Sequence, residues 1–122
     1  MPTKSDSFQD IFTFDPRVRF CAVLDERGRI VESEMRKDLR SLEPDGETTR
    51  LFMQIGLAVM MDRGWDKFFG STKFITIVKE RVSILVFALA DLRAVVVTTD
   101  PEFPLESVGR LGELVDVCVS MD

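Results

Sequence analysis

Residues Thr48 to Phe69 read TTRLFMQIGLAVMMDRGWDKFF, and the apolar positions in that stretch decide how the rest of the chain must be arranged. Spacing of three and four residues predicts one long helix, capped by Asp45 or Thr48 and stopped by Gly70. One stripe carries Leu51, Phe52, Ile55, Ala58 and Val59. A second, on nearly the opposite side, carries Met53, Leu57, Met60, Met61 and Phe68. A helix lying on one sheet face needs only one apolar stripe, so the second needs its own cover. Gly56 lies between the two, where a neighbouring backbone can come close. Trp65, Phe68 and Phe69 cluster at the helix end; packing into the core is the preferred reading, an aromatic ligand pocket the other.

Three strands follow in quick succession. Lys73–Val78 has Phe-Ile-Thr-Ile-Val at its centre, Val82–Ala90 is almost wholly apolar, and Arg93–Thr99 contains Ala-Val-Val-Val. Their short connections, Lys79-Glu80-Arg81 and Asp91-Leu92, make them antiparallel neighbours. Near-continuous apolar runs mean that both sheet faces are covered.

Upstream of the long helix, Phe8, Ile11 and Phe12 mark a short helix, with Ser5 or Asp6 as its cap and Asp15-Pro16 as its break. Val18–Leu24 and Arg29–Ser33 read as a hairpin around the turn Asp25-Glu26-Arg27-Gly28, with Ile30 and Val31 as the core of its second strand. Glu34 to Gly46 is a loop, and its basic cluster Met35–Arg40 reads as solvated. Downstream, Pro104 opens a terminal helix with Val108, Leu111, Val115, Cys118 and Val119 on one face. The expectation is one α/β domain of the α+β type over residues 1–122. Its order is α-β-β-α-β-β-β-α. A five-stranded antiparallel sheet carries the long helix on one face and the two terminal helices on the other.

Composition narrows the function. The 122 residues carry 16 Lys+Arg against 21 Asp+Glu, a net charge of −5, which argues against neutralising a nucleic-acid backbone. There is no histidine, so the commonest general base and zinc ligand is missing. No phosphate-binding glycine loop and no nucleophile elbow occurs. Asp62 and Asp66 stand four apart on the long helix, with Arg63 and Lys67 beside them; a solvated helix face explains them better than an acid/base or metal pair. No catalytic residue, metal or cofactor is expected. Cys21 and Cys118 sit in apolar runs without ligand spacing and read as reduced thiols, their contact left open. Met1 to Asp10 is polar, and the longest apolar run, Ile84–Ala90, is too short to span a bilayer, so a cytoplasmic protein without membrane insertion is expected.

The hairpin Phe20-Cys21-Ala22-Val23-Leu24-Asp25-Glu26-Arg27-Gly28-Arg29-Ile30-Val31, the helix from Thr48 and the strands Phe74–Val78, Val82–Ala90 and Ala94–Thr99 together resemble the roadblock/dynein light chain family, within the roadblock–longin–profilin-like fold. Small archaeal proteins of unassigned function are similar too. The resemblance implies a homodimer in which third strands pair and long helices pack. It also implies a scaffold or regulator role, often toward small GTPases, and no shared catalytic residues. The long Glu34–Gly46 connection departs from the family pattern. The residues agree independently on association, because an open Lys73–Val78 edge needs cover. Met53, Gly56, Leu57, Met60, Phe74, Ile75, Ile77 and Val78 are therefore the expected dimer contacts. The alternative is a profilin-like small-molecule sensor, with the methionines and the aromatic end lining a cavity.

Overall fold

Valine alternation sorts the two sides of the sheet. Val95 and Val97 face one way and Ala94 and Val96 the other, because successive side chains on a strand point to opposite faces. The computed structural model describes residues 4–120. In chain order it has α1 (Lys4–Phe14), β1 (Val18–Leu24), β2 (Ile30–Met35), α2 (Glu47–Arg63), α3 (Asp66–Phe69), β3 (Ile75–Val78), β4 (Ser83–Ala88), β5 (Ala94–Thr99), a 3-10 turn (Leu105–Ser107) and α4 (Val108–Ser120). The five strands form one antiparallel sheet in the order β2-β1-β5-β4-β3.

Cross-strand rows explain the two cores. Cys21, Val97 and Leu85 stand side by side, as do Val23, Val95 and Phe87. These join Phe8, Ile11 and Phe12 of α1 and Val108, Leu111, Val115 and Val119 of α4 in one buried cluster. On the other face Ala22, Val96 and Val86 line up and pack beneath Phe52, Ile55 and Val59 of α2. The expected arrangement, with α2 on one face and the terminal helices on the other, is the one observed.

α2 leaves β2 at one sheet edge and leads to β3 at the other, so it must run across the whole face. Its 17 residues span about 25 Å at 1.5 Å each, against about 19 Å for the four spacings of a five-stranded sheet. The helix sits close. Gly56 is buried against the β1–β2 turn, where a methyl group on it would collide with the Cα of Gly28. Gly28 holds φ +81, and a methyl group there would lie 2.9 Å from the carbonyl oxygen of Phe52. Backbone thus packs on backbone within one chain, and Gly56 is corrected from a dimer contact to an internal one.

Other local expectations change. The single helix from Thr48 to Phe69 is broken at Gly64, where the N–H of Gly64 bonds to Met61 O and that of Trp65 to Asp62 O, tightening the last turn. Neither Asp45 nor Thr48 caps α2. Gly46 takes the cap position at φ +88, and the Thr48 hydroxyl donates to Glu43 Oε2 at 2.7 Å. Ala58 and Val31 are exposed, since their positions turn outward from α2 and β2. The cap expected at Ser5 or Asp6 lies outside the residues whose side chains are described. Arg36 is no solvated loop residue. Its guanidinium donates to the carbonyls of Val18 (2.6 Å), Phe12 (2.6 Å) and Asp15 (3.0 Å) and lies over the Phe12 ring. It ties the end of β2 to the α1–β1 corner. Cys21 and Cys118 are both free thiols. Burial pushes the Cys21 thiol up, and burial with the nearby Asp10 carboxylate raises Cys118, so both stay protonated.

Candidate interaction surface

The face of α2 turned away from the sheet carries large apolar side chains with no cover. Met53 is 53% exposed, Leu57 52%, Met60 55% and Met61 66%. These are the second stripe of the sequence, and the three-to-four spacing that puts them on one side follows from 3.6 residues per turn. Contiguous apolar surface of this kind on a folded chain marks a contact site, whereas scattered single residues would not.

Beyond the Gly64 break, Trp65, Phe68 and Phe69 form an aromatic cluster with ring centroids 6.1–6.4 Å apart. The preferred sequence reading put them in the core, and the structure places them outside it. All three are exposed, Phe69 the most. Phe68 continues the outward stripe of Met53, Leu57 and Met61, and its two aromatic neighbours are exposed with it. The cluster is nonetheless held firmly at both ends. Arg63 donates to the carbonyls of Leu92 (3.1 Å) and Arg93 (3.2 Å), fastening the end of α2 to the β4–β5 turn. The Thr72 hydroxyl donates to the Asp62 carboxylate and closes the segment behind α3. Asp62 is thus a structural acceptor. Among the described residues, no group of three or more His, Cys, Asp or Glu is placed to hold a metal ion.

β3 is one of the two sheet edges and pairs only with β4 among the described residues. It is shorter than expected, starting at Ile75, and Phe74 precedes it with its ring 6.4 Å from that of Phe87. Ile75 and Ile77 sit in register with Val86 and Ile84, on the α2 side; Val78 is exposed. Six of the expected contacts other than Gly56 (Met53, Leu57, Met60, Phe74, Ile77 and Val78) are therefore solvent-facing, and Ile75 is half-buried.

A cleft of about 810 Å³ opens at the other end of α2, beneath the loop that follows β2. Phe20, Met35, Leu42, Leu51 and Phe52 give it apolar walls, and Phe20 stacks on Phe52 at 5.6 Å. Arg19 reaches its rim but is engaged, with Asp100 at 3.2 Å and the Arg40 carbonyl at 3.3 Å. The methionines and the aromatic end expected to line a cavity are exposed, and this cleft uses different residues. No sequence pattern announced it, because its lining comes from segments far apart in the sequence.

No family model matches the chain, and no curated protein matches it in sequence. Solved structures do match. The gliding protein MglB from Thermus thermophilus superposes with a TM-score of 0.74 over 98% of this chain and 90% of its own, at 13% identity. A roadblock/LC7 domain from Streptomyces avermitilis gives 0.69 over 93% and 88%, also at 13% identity. MglB from Myxococcus xanthus gives 0.68 over 92% and 88%, at 16% identity. The chain has the roadblock/LC7 fold, as the hairpin and the strand order led one to expect. Another structure in this group is described as MglB with a tetrameric arrangement. No helix among the described residues is long and apolar enough to cross a membrane.

Proposed function

We propose that the chain is a non-enzymatic, homodimeric interaction module of the cytoplasm, a scaffold or regulator whose partner is a small GTPase. One observation carries this reading: α2 is apolar on two sides, and the side without cover lies in the same protomer as an open edge strand. A second copy related by a two-fold axis covers both at once, with Met53, Leu57 and Met60 meeting their counterparts and β3 pairing with β3. The roadblock/LC7 fold supports the same arrangement, and the GTPase assignment rests on the family resemblance.

Sedimentation velocity across a concentration series tests the dimer. The expected result is a monomer–dimer equilibrium that Met60→Glu or Ile77→Glu abolishes, because either change places a charge in an apolar contact. An unmutated chain that stays monomeric at high concentration overturns the reading. Affinity capture from native lysate tests the partner: recovery of a GTPase is expected, with no nucleotide turnover by the isolated chain.

The cleft under the β2–α2 loop favours a second reading, a small-molecule sensor. Its volume of about 810 Å³ falls in the range of ligand pockets. Capture of a bound small molecule in place of a GTPase would select it.

A further inference from the structure

Two neighbouring rows of the sheet, both on the α2 side, are covered differently. The row Ala22–Val96–Val86 lies under Phe52, Ile55 and Val59 of α2. The row Phe20–Thr98–Ile84 is two residues further along the strands, about 7 Å away. Past the stack of Phe20 on Phe52, its cover is the segment from Leu39 to Asp45, and the space between them is the cleft of about 810 Å³.

Most polar groups around this cleft are already engaged. Arg19 bonds to Asp100 and to the Arg40 carbonyl. The Ser41 hydroxyl donates to the Glu43 carbonyl at 3.2 Å, and the Thr48 hydroxyl donates to the Glu43 carboxylate. What is left divides by depth. Arg40 and Asp45 are exposed and opposite in sign. Thr98 is half-buried in the floor, and its hydroxyl has no hydrogen-bond partner among the described residues. An occupant that displaces water from this floor has to replace the bond that water makes there.

Charge narrows the occupant further. Arg19 and Arg40 stand against Glu43 and Asp45 in the lining, so neither sign of ligand meets a net attraction. An ionised group brought onto Phe20, Phe52 and Leu51 would lose its water and find a free counter-charge only among the exposed residues. We propose that the cleft takes an uncharged, mainly apolar molecule with one hydroxyl or carbonyl group, which bonds to the Thr98 hydroxyl. This rests on the sensor reading of the cleft and names its ligand class. It leaves the homodimer untouched, because Met53, Leu57, Met60 and Met61 take no part in the lining.

Octanol, octanoate and octylammonium share one tail and differ in the charge of the head at neutral pH. Each is titrated into protein with isotope-labelled methionine methyl groups and followed by NMR. Met35 lines the cleft, whereas Met53, Met60 and Met61 stand on the outer face of α2, so the signals report where a probe sits. Octanol is expected to shift the Met35 signal saturably and to leave those of Met53, Met60 and Met61 in place. The two ions are expected to bind there at least about tenfold more weakly, because their heads would be desolvated without a partner. Thr98→Val is expected to weaken octanol by about threefold to tenfold, the worth of one hydrogen bond; an unchanged affinity overturns the role of that hydroxyl. An ion that binds at Met35 as tightly as octanol overturns the ligand class and leaves the sensor reading standing. Octanol that shifts the outer methionines and not Met35, or no binding by any probe, overturns both. A Met35 signal that moves with protein concentration alone would mean that a second copy fills the cleft, and also overturns both.

Discussion

α4 and α2 lie on opposite faces of one sheet and use their apolar residues differently. On α4, Val108, Leu111, Val115 and Val119 are all at most 2% exposed. The exposed Val117 stands alone on the other side. On α2, Phe52, Ile55 and Val59 are buried, while Met53, Leu57, Met60 and Met61 are more than half exposed on the reverse side. α4 shares its face with α1, so two helices divide the covering of that side and each needs one stripe. α2 covers its face alone and still carries a second stripe. A helix whose only task is to close a core has no use for that stripe, so the contrast separates the residues that hold the fold from those proposed to meet a second copy.

Substitutions on the two helices should separate accordingly. Leu111→Ala is expected to lower unfolding free energy by about 2–5 kcal/mol, the range for emptying a filled core site. Denaturant titration of a dilute, monomeric sample measures it, and a loss below about 1 kcal/mol would place α4 outside the core. Gly56→Ala should cost about 1–3 kcal/mol by forcing α2 away from Gly28, although alanine is the better helix former. A neutral or stabilising result in the same titration would mean that the helix and the turn are not in contact. Met53→Ala should change monomer stability by no more than about 0.5 kcal/mol while weakening self-association. A large loss of monomer stability would show Met53 to be buried within its own chain.

The smallest effect concerns acid. The Arg17 guanidinium, with its hydrogen bond to the Asp15 carboxylate, holds that carboxyl below the ordinary aspartate value of 3.8. A carboxyl with a depressed folded-state pKa adds stability above its unfolded value, and that stability is lost as pH falls through the lower, folded value. Arg17 is partly exposed, so screening keeps the contribution small. Arg17→Ala should therefore narrow the stability gap between neutral pH and acid pH. Thermal melts of the variant and the parent across that interval check it, and a parallel pair of curves would leave the ion pair without a role.

Much of the fold was readable because its causes are local. Val82–Ala90 and Arg93–Thr99 are apolar on both faces, which required layers on both sides of the sheet, and α2 showed its two stripes through spacing alone. What escaped depends on pairs distant in sequence. Nothing at Gly56 names Gly28 as its neighbour, although a glycine inside a helix costs about 1 kcal/mol against alanine and so asks for a packing reason. Arg36 looked like part of a basic loop, yet three carbonyls from the α1–β1 corner bind it. Trp65, Phe68 and Phe69 looked like core because they are large and clustered, yet all three are exposed, Phe68 on the side of the second stripe. Six of the eight expected contact residues face solvent all the same, since a stripe or an edge can be seen in one segment.

Amide hydrogen exchange along Ile75–Val78 most directly asks whether a second copy covers the open side of this protomer. The outward N–H groups of β3 should exchange quickly in dilute protein and become protected as concentration rises, together with amides of α2 around Leu57. Exchange in β3 that stays fast and independent of concentration, in a sample where the cores beneath α2 and α4 are well protected, would contradict the account.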